Sequence, residues 1–215
     1  MIKALVFDMD GVIIDSEPIQ CEIAVDVLRS FGAEPAENEL YEFVGVTNQA
    51  MWPVLKERHK LDASVEEILK RHQEYKKKRF FTQKIEPIEG VRELIMDADA
   101  RGLKIALATS SPRYLAEHIL TSTGLMPYFD AMVTADDITK SKPDPEIYLK
   151  AAELLGVEPE SCIAVEDAEH GIQAAKNAGM RVIGFINPHS GKQDTSRADF
   201  VVSSMRDIDL DRLVG

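Results

Sequence analysis

Asp8 and Asp10 stand two residues apart where a short apolar run ends, in Phe7-Asp8-Met9-Asp10-Gly11-Val12. Carboxylates placed so close repel each other and lose hydration at the end of a buried strand, and a divalent cation is the natural compensation. Thr109-Ser110-Ser111-Pro112 sets hydroxyls and free backbone N–H groups where a helix should begin, which is the composition of an anion site. In Ser141-Lys142-Pro143-Asp144-Pro145 a rigid proline fixes the place of Lys142, suiting it to neutralise a phosphoryl oxygen or a neighbouring carboxylate. Val165-Glu166-Asp167-Ala168 again puts acids after an apolar run, with Gly171 following. Taken singly, these are a glycine turn, a Ser-Pro helix cap, a solvated lysine and a complement to a helix dipole. Together, each at a strand end where an open parallel sheet binds its ligands, they point to one phosphate- and metal-handling site.

The elements that must position these residues are legible as a rhythm. Apolar runs at Ile2–Phe7, Leu103–Ala108, Met132–Thr134, Cys162–Val165, Val182–Ile186 and Phe200–Val202 read as buried strands. Helical patterns lie between them. Arg113–Leu120 has Pro112 at its first turn and Gly124 past its end. Pro145–Leu155 has Asp144 as N-cap and Gly156 as stop, and a third helix follows Glu166-Asp167 and ends at Gly179. Strands alternating with helices at this spacing predict an α/β protein with a mostly parallel sheet covered on both faces. From Asp15 to Ile85 the rhythm breaks. Ile19, Ile23, Val27, Leu28 and Phe31 recur at helical spacing before Gly32, and 65–81 carries Glu66–Lys70, Glu67–Arg71 and Glu74–Lys78 as the exposed face of another helix. This stretch reads as a helical insertion. The loop 187–198 is polar and is expected to be exposed.

With 45% hydrophobic and 29% charged residues over 215 positions, the chain is an ordinary folded protein, long enough to bury a core without disulfide or metal staples. Its formal charge of −12, of which only −2 falls in 15–85, repels phosphate backbones and anionic lipid, so nucleic acid and membrane are poor partners. Cys21 and Cys162 lie far apart, without metal-ligand spacing, and read as buried thiols in a reducing compartment. Asp8 interrupts the first apolar run before a signal-peptide core could form, so a cytoplasmic location is expected.

Asp8-x-Asp10-Gly11-Val12, Thr109-Ser110, Lys142-Pro143 and Glu166-Asp167 together resemble the four motifs of the haloacid dehalogenase superfamily, in that order along essentially the whole chain. The helical insertion is similar to the small cap of the β-phosphoglucomutase and phosphatase branch. Asp15-Ser16-Glu17-Pro18 and Ala108-Thr109-Ser110-Ser111-Pro112 are similar to bacterial sugar-phosphate phosphatases. The resemblance implies a Rossmann-like, doubly wound core over 1–14 and 86–215 and a cap over 15–85. It implies Asp8 as nucleophile forming an aspartyl-phosphate, and Asp10 as the acid and then the base. It also implies Mg²⁺ held by the Asp8 carboxylate, the Asp10 backbone carbonyl, Asp167 and Glu166, with Thr109, Ser110 and Lys142 binding phosphoryl oxygens.

The implied activity is hydrolysis of a small sugar or polyol phosphate, and the implied partner is a small phosphorylated metabolite acted on by a monomer or weak dimer. A phosphosugar mutase is the alternative, and a silent protein that keeps the fold is a second. In β-phosphoglucomutases a His occupies the position of Gln20, and an Arg follows Gly-Val-Ser where this chain has Gly45-Val46-Thr47-Asn48. Neutral amides at 20 and 48 suit hydroxyl groups and lack the charge that grips a second phosphate. Trp52, Arg71 and Lys76 are further candidates to face substrate, and Arg71 or Lys76 could replace the missing Arg. Trp52 also fits a cap core, and Lys76-Lys77-Lys78-Arg79 a solvated face.

Overall fold

The computed structural model describes residues 1–36, 38–44 and 46–214, so Gly45 of the Gly45–Asn48 stretch lies outside the described residues. The chain divides into two compact units, Met1–Asp15 with Ile85–Gly215, and Ser16–Lys84.

In the first unit six parallel strands, β1 (Ala4–Phe7), β2 (Lys104–Ala108), β3 (Ala131–Val133), β4 (Cys162–Glu166), β5 (Arg181–Phe185) and β6 (Phe200–Val202), form one sheet in the order β3-β2-β1-β4-β5-β6. Buried residues of β1, β2 and β4 fall into two alternating sets. Ala4, Val6, Ala106, Ala108, Cys162 and Ala164 share a cluster with Ile147, Tyr148 and Ala151 of α6 (Glu146–Leu155) and Ile172 and Ala175 of α7 (Glu169–Asn177). Leu5, Phe7, Ile105, Leu107, Ile163 and Val165 are equally buried and point to the other face, where α4 (Val91–Ala100) meets β2. Small alanines on the first face let α6 and α7 come close. The strand order reverses direction at β1 and β4, and their ends open the crevice where such sheets bind ligands.

α5 (Arg113–Ser122) begins one residue after Pro112, which occupies the N-cap and not the first turn. At α6 the N-cap is Pro145; Asp144, expected there, still satisfies the helix start by accepting from Glu146 N at 3.0 Å. The loop 187–198 is largely exposed, as expected, but Asn187 and Ser190 within it are buried by hydrogen bonds that draw them inward.

The second unit is helical. α1 (Glu17–Ser30), α2 (Asn48–His59) and α3 (Val65–Thr82) pack with α3 touching both others. Thr47 Oγ1 caps α2 by accepting from Ala50 N. Ser64 and Glu67 close a capping box on α3, so Glu67 serves the helix start, while Arg71 pairs with Glu74 at 3.6 Å. Arg79, at the end of the basic run, is paired with Glu22 and Asp26 of α1. Trp52 is fully buried, edge-on to His72 with ring centroids 5.6 Å apart, and so belongs to the core of this unit. Cys162 is buried as expected, whereas Cys21 is only half-buried; both are free thiols. No described helix is long and apolar enough to cross a membrane.

Candidate active site

Asp8 follows Phe7 directly, and its N–H donates to Val165 O at 3.0 Å, so the parallel register brings it beside Glu166 at the end of β4. Lys142 comes to the same place from the turn before α6. Its Nζ donates to Asp8 Oδ1 at 2.5 Å, to Glu166 Oε1 at 2.7 Å and to Ala108 O at 3.1 Å. The lysine expected at a fixed place near the strand ends is thus enclosed, its side chain 10% exposed, and all three of its protons have acceptors. Tyr148, inside α6, donates from its hydroxyl to Glu166 Oε1 at 2.5 Å, and its ring lies under the ammonium, 5.1 Å from centroid to Nζ. Asp167 is buried one residue on, accepting from Ser190 Oγ.

Asp8, Glu166 and Asp167 each offer a carboxylate oxygen within 4.8 Å of the others. Burial, with the Glu166, Asp167 and Asp10 charges adding to it, pushes Asp8 well above the usual carboxylate range, against the pull of Lys142. Burial and then the Glu166 charge push Asp167 up to about 7. Lys142 moves the opposite way to a buried amine: desolvation would lower it, but Asp8 and Glu166 hold its proton more firmly than water does. Three buried carboxylates facing one ammonium leave an excess of negative charge, the condition that a divalent cation relieves. The space around them is kept open by glycine. A Cβ on Gly171 would lie 1.9 Å from Glu166 Oε1, and one on Gly11, whose φ is +83°, would lie 2.0 Å from Asp167 Oδ2. The donor set is all oxygen, which fits a hard cation such as Mg²⁺.

Asp10 lies just past this cluster. Its Oδ2 accepts from Ser111 Oγ at 2.9 Å, and its Oδ1 is buried with no protein partner among the described residues. Thr109, at the end of β2, is fully buried, and its Oγ1 accepts from Ser111 N at 3.0 Å. Ser110 is exposed between them. The first unit therefore gathers Asp8, Lys142, Glu166 and Asp167 into one contact network, with Asp10 and Thr109 linked through Ser111. Gln20 and Asn48 belong to the second unit, where with Glu17, Cys21, Thr47 and Met51 they line a cavity of about 200 Å³. Arg71 stacks on Phe31 at 5.3 Å and Lys76 lies 5.9 Å from the Phe80 ring centroid.

Residues 5–185 match the family described as haloacid dehalogenase-like hydrolase. The chain belongs to that family. Among relatives, a phosphorylated carbohydrates phosphatase of Thermotoga maritima is 39% identical over 187 residues, 86% of each chain. Hexitol phosphatase B of Escherichia coli is 34% identical, covering 100% of this chain and 97% of its own. Among solved structures, β-phosphoglucomutase of Clostridium difficile superposes with a TM-score of 0.77 at 26% identity, covering 100% of this chain and 96% of the other. In this hydrolase four side chains near the acids were not singled out as site residues from sequence: Ser111, which stood only as part of a helix start, Tyr148, Asn187 and Ser190. The one signal for Ser111 was its place in the Thr-Ser-Ser-Pro run. Tyr148 sits in an apolar helix face and Ser190 in a polar loop, where composition marks neither.

Proposed function

We propose that this hydrolase is a Mg²⁺-dependent phosphatase of small sugar or polyol phosphates, working through an aspartyl-phosphate on Asp8. The observation that carries the reading is the set of buried carboxylates at the ends of β1 and β4, crossed by Lys142. A carboxylate oxygen of Asp8 attacks phosphorus, and the bond from phosphorus to the ester oxygen breaks. Asp10 gives its proton to that departing oxygen. In the second half Asp10 takes a proton from water, which attacks phosphorus, frees inorganic phosphate and restores the Asp8 carboxylate. Ser111 holds Asp10 for both transfers. Lys142, Thr109 and Ser110 bind the phosphoryl oxygens and keep the group in line. Mg²⁺, held by Asp8, the Asp10 carbonyl, Asp167 and Glu166, supplies charge neutralisation of acids and phosphoryl group alike.

The helical unit, 16–84, serves as the cap that chooses the rest of the substrate. Its cavity presents the Gln20 and Asn48 amides and the Thr47 hydroxyl, with Glu17 as a charged group. Amides and a hydroxyl bond to sugar hydroxyls, and a carboxylate on the same wall opposes a second phosphate. The names of the Thermotoga and Escherichia coli relatives support the same substrate class. The likeness to a β-phosphoglucomutase keeps a mutase as the competing reading. A screen of hexose and polyol monophosphates with Mg²⁺, scoring phosphate release and isomer formation together, decides between them. Phosphate release without interconversion of glucose 1- and 6-phosphates, even with a bisphosphate primer, is expected. Primer-dependent interconversion faster than release would make the chain a mutase.

A further inference from the structure

The loop after β5 reaches three parts of the site at once. Asn187 Nδ2 donates to Gly11 O at 3.0 Å, and its Oδ1 accepts from His189 N at 2.8 Å, so the amide cannot turn over without losing both bonds. Ser190 N donates to Asn187 O at 3.2 Å, which brings the Ser190 hydroxyl to Asp167 Oδ2, to which it donates. Gln193 completes the arrangement: its Nε2 donates to Ser190 O at 3.0 Å, and its Oε1 accepts from Glu169 N at 3.1 Å, at the start of α7. Asn187 and Ser190 are each 5% exposed, although the segment is polar throughout. The loop is therefore tied to the turn after β1, to the acid after β4 and to the helix behind that acid.

A ligand carboxylate is aimed by the hydrogen bonds its oxygens accept, and such outer partners set much of a site's affinity. One hydroxyl on Oδ2 fixes the rotation of Asp167 and leaves the other lone pairs for a cation. We propose that Ser190, held in place by Asn187 and Gln193, is a positioning residue for the cation site: it orients Asp167 before the cation arrives and so sets the affinity for Mg²⁺. This rests on Asp167 being a metal ligand, as in the proposed function.

The test is calorimetric titration of Mg²⁺ into the full chain without substrate, which needs no turnover. Ser190→Ala is expected to weaken Mg²⁺ binding ~10- to 100-fold, with the melting temperature of the Mg²⁺-free protein little changed. Ser190→Cys keeps the bulk but donates weakly, and gives the same comparison should the alanine variant fail to fold. Asp167→Asn serves as the reference. Wild-type affinity in the Ser190 variants alongside weak binding in Asp167→Asn overturns the inference and leaves the metal assignment standing. Wild-type affinity in Asp167→Asn overturns both.

Discussion

Acidification should destabilise the helical unit by way of His72. This side chain is 1% exposed, and neither ring nitrogen has a hydrogen-bond partner among the described residues. Burial, and secondly the charge of Lys76 one turn along α3, lower it from 6.5 to about 4. The native state thus refuses a proton that the unfolded chain accepts. Stability is full above the unfolded value and is lost as the pH falls from about 6.5 towards 4, where the loss levels off. The full difference is ~3 kcal/mol, of which ~2 kcal/mol is already lost at about pH 5. Trp52 is the one tryptophan in the sequence and touches His72, so its fluorescence reports this unit during urea unfolding. Measured at about pH 8 and about pH 5, the wild type should lose ~2 kcal/mol more than His72→Leu, because shared carboxylate effects cancel in the comparison. Equal losses in the two proteins would refute the reasoning.

Gly171→Ala should cut turnover at least ~10-fold while leaving α7 folded, because the new Cβ, 1.9 Å from the present place of Glu166 Oε1, pushes the carboxylate off Lys142, whereas alanine itself favours a helix; unchanged steady-state kinetics would contradict this. Tyr148→Phe removes a buried bond to a carboxylate and should cost ~1.5–3 kcal/mol in urea unfolding. Stripping the protein with EDTA should abolish phosphate release, Mg²⁺ should restore it, and Ca²⁺ should inhibit through its larger, looser shell, all read in one phosphate-release assay.

The central strands were legible because each is a short apolar run buried on both faces and closed by a polar residue, and for the same reason Asp8, Thr109 and Glu166 could be placed at strand ends. Helices α5 to α7 announced themselves through glycine stops. α2 did not: Pro53 lies inside it and its apolar residues bunch together over 50–55 instead of recurring at helical spacing, so its existence depends on the packing of Trp52 and Leu55 against the rest of the unit. α4 is legible in principle, since Gly90 at its start and Val91, Leu94, Ile95 and Ala98 on one face give it an ordinary pattern, although no strand run leads into it of the kind that marks α5 to α7. The supporting side chains of the site were hidden for another reason. Ser190 reaches Asp167 across 23 positions and Ser111 reaches Asp10 across 101, and a serine carries no sign of its partner until the sheet order brings the loops together. Lys142 was recognisable only because a proline follows it and three other sets of polar residues accompany it in order.

The claim that Asp8 is phosphorylated during turnover is open to direct chemical trapping. The protein is quenched with acid while hydrolysing a hexose monophosphate and reduced with borohydride, which converts an aspartyl-phosphate to homoserine, and the peptide containing residue 8 is sequenced by mass spectrometry. Homoserine at position 8, dependent on both substrate and Mg²⁺, is the expected result. Rapid phosphate release with Asp8 recovered unmodified at every quench time, and with the modification at another carboxylate, would contradict the account.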